Sequence, residues 1–390
     1  MTYDICIVGG GLAGLYAAMR CARHGLNVCV VERRTQLGTP VRCAEATGNR
    51  AELSRFVTPE ADWIATDIDA LQLHLDDHAP LTVRSPHIGL MLHRDRFERM
   101  LAERARAHGC SILLDTTFTG FSRCGTRIDG IHTHRGDTIK ARIIIGADGP
   151  ESKVGRLAGI TAALHPRDIY PAAQYRLHTD RFSDKSLHFF YGATTIRQGY
   201  IWVFPKQDGT ANVGAGFFGA RPEHVRATLD AYIAARFPGV SPGRCVAGCA
   251  PITPCPPTLH RDNVTLVGDA ARQVNPLICA GIMNALEAAH LCTTHCIAAA
   301  GATHPRQHLA AYSRTWRTHQ RRQQLFFESI KHMLLASSPG QVAHLLGHSY
   351  RFFAHTVDRS QPLRIPLWPT LRYILSVLPH YLPHARHLLR

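Results

Sequence analysis

The sequence predicts an α/β protein with a parallel sheet, a second sheet and helices at its C-terminal end. Three observations carry this. The first 32 residues read strand, glycine-rich turn, helix, strand, acid, the order of a Rossmann-type dinucleotide-binding unit. Two later apolar runs each end in a turn that holds a glycine and an aspartate. Four strand-like runs, Ala172 to Leu177, Leu187 to Tyr191, Tyr200 to Phe204 and Ala211 to Phe217, supply enough strands for the second sheet.

The N-terminal unit can be justified residue by residue. Asp4-Ile-Cys-Ile-Val8 is a short apolar run suited to a strand buried on both faces. It feeds into Gly9-Gly-Gly11-Leu-Ala-Gly14 and an Ala/Leu-rich helix from about Leu12 to His24, stopped at Gly25. Asn27 to Val31 is the second strand, and Glu32 follows it, 18 residues after Gly14. Gly9 permits the tight turn, Gly11 lets backbone approach a pyrophosphate, and Gly14 lets helix and strand pack closely. The helix N-terminus presents free N–H groups and the positive end of the helix dipole to phosphate, and a carboxylate at Glu32 suits ribose hydroxyls. Ala141 to Gly149 is a strand entering a Gly146-Ala-Asp148-Gly149 turn, and Asn263 to Asp269 is another ending in Gly268-Asp269.

Composition sets the outer bounds. At roughly 150 residues per domain, 390 residues suggest two or three domains. With 45% hydrophobic and 19% charged residues the chain is globular rather than disordered. No apolar run reaches the roughly 18 residues of a membrane-spanning helix, and MTYDICIVGGG has no charged leader ahead of its apolar run, so it reads as a strand and not a signal peptide. Twelve scattered cysteines argue for reduced thiols in the cytoplasm. Neither Cys245–Cys249–Cys255 nor Cys292–Cys296 has the paired spacing of a zinc site, so no metal is expected.

The net charge of +15 is uneven: residues 301–390 carry twelve Lys/Arg against two acids. Such a region suits an anionic surface, and with no nucleic-acid module in view, nucleic acid is not the expected partner.

The N-terminal fingerprint with the two Gly-Asp segments resembles the three motifs of FAD-dependent hydroxylases and reductases. Further segments narrow the resemblance. Gly38-Thr-Pro-Val-Arg-Cys43-Ala-Glu45 is similar to the cysteine loop of the geranylgeranyl reductase family, and Tyr200-Ile-Trp202-Val-Phe204-Pro205 to its YxWxFP motif. Asn275-Pro276-Leu-Ile-Cys279-Ala-Gly281-Ile282 is similar to its flavin-covering loop, and His93-Arg94-Asp-Arg-Phe97 falls where that family has an arginine reaching FAD. The match runs in order from residue 1 to about Trp316.

By this resemblance Ala13, Glu32, Cys43, Ala44, Arg94, Phe118, Asp269, Gly281 and Ile282 line FAD, with Cys43 in the catalytic position beside the flavin. The matched motifs place Gly9, Gly11, Gly14, Arg33, Arg42, Asp148, Gly268 and Pro276 with them. Phe118 rests on its place at the end of a strand from Ser111. Asp269 holds a ribityl hydroxyl, and the helix from about Gly281 aims its N-terminus at the pyrimidine ring, favouring negative charge on reduced flavin. Tyr200, Trp202 and Phe204 share one strand face and, with Cys279, are the candidates for substrate contact. A plain core role for the three rings stays open, as does a structural role for the Cys43 thiol. The family has glycines where this chain has Cys279-Ala280, which bears on the substrate more than on the cofactor.

The implied architecture is interleaved: an FAD-binding domain from 1–60, 85–160 and 258–300, a mostly antiparallel substrate domain from 61–84 and 161–257, and a basic helical region at 301–390. In that region helices are expected at His308 to Leu335 and Gln341 to Val357, separated by Ser337 to Gly340. The Trp368 to Leu389 segment mixes apolar and basic residues, as surface-bound helices do; a lid packed on the substrate domain is the other reading. The implied activity is saturation of C=C bonds in an isoprenoid or similar long lipid by hydride from reduced FAD. NADPH or a ferredoxin-like protein is the external reductant, and the location is cytoplasmic or at the membrane periphery. A flavin monooxygenase or halogenase on a hydrophobic substrate stays open on the same scaffold, as does a non-catalytic lipid-binding or electron-carrying flavoprotein.

Overall fold

The computed structural model describes residues 2–75, 79–192, 196–302 and 305–336. The expected break at 337–340, the helix at 341–357 and the segment 368–389 lie outside the described residues. The chain divides into two compact units, the first from residues 1–43, 93–169 and 249–321, the second from 44–92 and 170–248 with the described chain from 322 onward.

The first unit is built on a parallel sheet. Thr2–Val8 lies at its centre, flanked by Val28–Val31 and Thr138–Gly146, with Ser111–Leu113 and Val264–Leu266 outside them. Ile5, Cys6, Ile7 and Ile143 to Ile145 are buried, as continuous apolar runs demand when both faces of a sheet are covered. The helix Leu12–Arg23 packs against Arg94–Ala107 and against Ile282–Ala300. A hairpin, Phe118–Cys124 with Arg127–Thr133, joins the sheet antiparallel to Thr138–Gly146. Phe118 therefore opens a strand of its own instead of ending the one from Ser111, because the Ser111 strand stops at Leu113.

The second unit is an eight-stranded sheet in the order Val246–Pro251, Ile169–His178, Thr210–Phe217, Ile196–Pro205, Ser186–Gly192, Ile64–Leu75, Leu81–Leu92, Ala46–Thr47. The registered pairs are antiparallel except Ser186–Gly192 with Ile64–Leu75, which is parallel. Sequence reading grouped 44–60 and 85–92 with the nucleotide-binding domain; contacts group them with the second sheet, because Ala46–Thr47 pairs with Leu81–Leu92.

One face of this sheet is sealed by the helix Pro222–Arg236. Val225, Leu229 and Ile233 recur every fourth residue, one stripe of a helix, and pack with Ile201, Val203, Val213 and Ala215. The helix Pro305–Ala336 runs unbroken for 32 residues. Among the described residues no helix is long and apolar enough to cross a membrane.

Candidate cofactor cradle and aromatic face

In the first unit the three glycine-containing turns meet. Gly9 adopts φ +112°, and a Cβ there would run into the Ala147 carbonyl, which joins the first turn to the Asp148-Gly149 segment. A Cβ on Gly14 would strike the Gly9 carbonyl, so helix and turn can close only on glycine. A Cβ on Gly268 would lie 3.1 Å from the Ala13 side chain, joining the first turn to the third segment. At Gly11, by contrast, an added Cβ would meet nothing within 4 Å. That open space, at a helix N-terminus with no side-chain cap and no acid in its first turn, has the shape and polarity of a phosphate seat.

Glu32 is buried, and both carboxylate oxygens are engaged. The Gly10 N–H donates to Oε2 (2.6 Å), and the Arg34 N–H and Nε donate to Oε1 (2.8 and 3.0 Å). Burial pushes this carboxyl up, but the Arg34 guanidinium and the N–H donors outweigh it and hold it below the ordinary carboxylate value. Oε1 already accepts two N–H groups, and Oε2 has room for a hydroxyl donor. Arg33, the expected cofactor contact, is exposed; its neighbour Arg34 reaches the acid and was missed. Both arginines lie in the bend after Val28–Val31, where strand alternation does not choose between them.

Arg94 starts the helix Arg94–Ala107, pairs with Glu98 one turn on, and makes a hydrogen bond with the Cys43 thiol. Burial works against its charge, but Glu98 and Cys43 more than offset this and hold it protonated. Asp269 feels the same guanidinium: burial pushes its carboxyl up, and Arg94 opposes. Asp269 Oδ1 lies 3.7 Å from where a Gly281 Cβ would stand. Cys43, Arg94, Asp269 and Gly281 are thus linked through one patch. Arg42 is exposed, and its charge bears on Cys249, which also feels Asp269; Cys249 was not among the expected site residues.

Two expected residues carry local structure. Asp148 accepts from Ser152 Oγ (2.7 Å) and the Val154 N–H (3.0 Å), closing the turn into the short helix Lys153–Leu157. Phe118 is buried edge-on to Phe121.

The loop from Asn275 is shaped by its own side chain, whose Oδ1 accepts from the Leu277 and Ile278 N–H groups. It buries Pro276 and puts Cys279 at φ +56°, a left-handed conformation. Gly281 then caps the 19-residue helix Ile282–Ala300, and Ile282 is buried at its first position. Behind the loop, Gln273 Oε1 accepts from the Gly268 N–H (2.8 Å), and its amide donates to Tyr312 Oη (2.8 Å). These two residues also escaped sequence reasoning, since no local pattern marks a partner 39 positions away.

In the second unit, Tyr200, Trp202 and Phe204 form a continuous row, with ring centroids 5.8 and 6.4 Å apart, on the sheet face opposite Ile201 and Val203. Phe189 joins them at 5.7 Å from Tyr200 and 5.1 Å from Phe204. The Trp202 Nε1 is buried, and no hydrogen-bond partner for it is found among the described residues. Ala44 opens this unit, its carbonyl accepting from Asn212 Nδ2 (3.0 Å).

The fold and the three-turn cradle define an FAD-dependent oxidoreductase scaffold, and comparison with known proteins agrees. The FAD binding domain family matches residues 2–211. A digeranylgeranylglycerophospholipid reductase of Methanothrix thermoacetophila is 33% identical over the full length of both chains, and one of Methanocella arvoryzae is 35% identical over 74% of this chain and 76% of its own. A geranylgeranyl bacteriochlorophyll reductase-like protein of Thermoplasma acidophilum superposes with a TM-score of 0.87 at 26% identity, covering 99% of each chain. The chain belongs to the geranylgeranyl reductase family of FAD-dependent oxidoreductases.

Proposed function

We propose that this enzyme saturates C=C bonds in a lipid bearing unsaturated isoprenoid chains. The observation that carries the reading is the convergence of Gly9 on Ala147, Ala13 on Gly268, and the Arg94 charge on both Asp269 and Cys43. Names of the relatives, digeranylgeranylglycerophospholipid reductases, support an isoprenoid glycerolipid as substrate. FAD, once bound and reduced, would supply hydride chemistry toward the C=C bond, the second hydrogen being taken up as a proton.

The chain's own residues bind, orient and exclude water. The N–H groups at Gly11 and the first helical turn seat the pyrophosphate, and Glu32 accepts from the ribose. Asp269 would hold the ribityl chain, and Gly281 and Ile282 would hold the flavin ring. The N-terminus of Ile282–Ala300, with no acid in its first turn, favours negative charge on the reduced cofactor. Cys43, oriented by Arg94, lies on the cofactor side. Tyr200, Trp202 and Phe204 give a flat apolar face suited to hydrocarbon. The electron donor is NADPH or a ferredoxin-like protein, and the basic region beyond residue 301 rests on an anionic membrane surface.

The test is anaerobic. The flavoprotein is reduced chemically, polyprenyl lipids are added, and flavin reoxidation is followed alongside mass spectrometry of the lipids. Reoxidation with gain of a hydrogen pair per bond is expected. A flavin that stays reduced until oxygen enters, followed by an oxygenated product, overturns the reading in favour of a monooxygenase.

A further inference from the structure

Three donors from the second unit converge on one buried carboxylate oxygen. Glu45 Oε2 accepts from Lys206 Nζ (2.8 Å), from the Arg176 guanidinium (2.7 Å) and from Asn212 Nδ2 (2.8 Å). The Glu45 and Lys206 side chains are both fully removed from solvent. The backbone is held as firmly: the Glu45 carbonyl accepts from the Leu92 N–H (3.0 Å), Asn212 Nδ2 also reaches the Ala44 carbonyl, and Glu45 itself sits at φ +72°.

Burying an ion pair is a poor way to gain stability, since well-packed apolar side chains of the same volume do as well or better. What a buried polar network of this kind supplies is a fixed position. Here the fixed backbone is Ala44–Glu45, directly after Cys43. Cys43 is therefore held by its own thiol on Arg94 and, through the next two residues, by the Glu45 cluster.

We propose that Glu45, clamped by Lys206, Arg176 and Asn212, is a positioning residue for the reaction, fixing the backbone that carries Cys43. This rests on the reading that Cys43 lies on the cofactor side. Glu45 touches neither cofactor nor substrate in this scheme; it sets where the thiol stands.

The experiment compares Lys206→Met and Arg176→Met, each in the wild-type and the Cys43→Ser background. Flavin content and thermal unfolding serve as folding controls. The readouts are kcat and KM for saturation of a geranylgeranyl lipid by the dithionite-reduced protein, and the rate of Cys43 alkylation by iodoacetamide, located by peptide mass spectrometry.

Lys206→Met is expected to keep its flavin, lower kcat about tenfold or more with KM little changed, and alter the alkylation rate, as small misplacements near reacting groups do. In the Cys43→Ser background the same change adds no further loss. Equal loss in both backgrounds, or an unchanged alkylation rate, overturns the proposal. If Lys206→Met fails to fold, Arg176→Met decides by the same pattern, because its side chain is partly exposed and its removal leaves no buried charge unpaired. Full activity of Cys43→Ser alone sinks the underlying reading of Cys43, and an unchanged alkylation rate sinks the positioning role, so the two failures are read separately.

Discussion

Trp202 and Gly214 sit directly opposite one another on neighbouring strands, and the indole occupies the space a Gly214 Cβ would need. The aromatic row therefore depends on a glycine in the partner strand as much as on its own residues. Gly214→Ala must push the ring aside, and overpacking of this kind costs about 1–3 kcal/mol. The expected result is a lower Tm and a raised KM for the lipid, with flavin content retained. An unchanged KM would show that the row is core and not a substrate face.

Glu32 is predicted to govern cofactor affinity. Glu32→Ala removes the carboxylate proposed to hold the ribose and leaves the Gly10 N–H without its acceptor. A charge-assisted hydrogen bond is worth about 1.5–3 kcal/mol, so FAD affinity should fall roughly tenfold or more. Titration of the deflavinated protein with FAD, read by fluorescence quenching, checks it. Because Arg34 and the N–H donors hold this carboxyl low, its contribution is present above the ordinary carboxylate value and is lost only as pH falls through the lowered one.

Cys279 occupies a left-handed backbone position at φ +56°. For a side chain with a Cβ that conformation costs roughly 1–2 kcal/mol, and glycine adopts it freely. Cys279→Gly should hold or raise Tm and broaden the range of lipids accepted. A clear fall in Tm would mean that the thiol makes contacts outweighing the backbone cost.

Acid should weaken the second unit through His74. Its ring Nε2 lies 3.1 Å from His188 Nδ1, and it stacks on Phe190 at 4.2 Å. Burial lowers its pKa to about 4, helped by His188 and Arg236 and opposed by Asp184. The unfolded chain binds the proton first, so stability falls as pH drops from about 6.5 toward 4 and levels off below. Urea midpoints measured across this window should fall for wild type and less steeply for His74→Gln. His260 and His295, also lowered by burial, leave a residual slope. Equal slopes in the two proteins would count against His74.

Much of the first unit was legible because its signals are local. A left-handed turn needs glycine at Gly9, and a strand buried on both faces needs the unbroken apolar runs around Ile5 and Ile144. The period of two along a strand put Tyr200, Trp202 and Phe204 on one face. Helix Pro222–Arg236 was legible too in its Val225, Leu229, Ile233 stripe, though it went unread. Phe118 was misplaced because a strand's end depends on where its neighbour stops pairing.

The sequence by itself determined the turn geometry, where steric rules act over a few residues, and carried short motifs whose resemblance to known ones pointed to the cofactor class and the family. Tertiary structure decided which charges meet. It joined Lys206 to Glu45 across 161 positions, and moved 44–60 into the second unit. A buried charge takes whatever partner the fold delivers within about 3 Å, and that distance is fixed by the packing of whole sheets rather than by neighbouring residues.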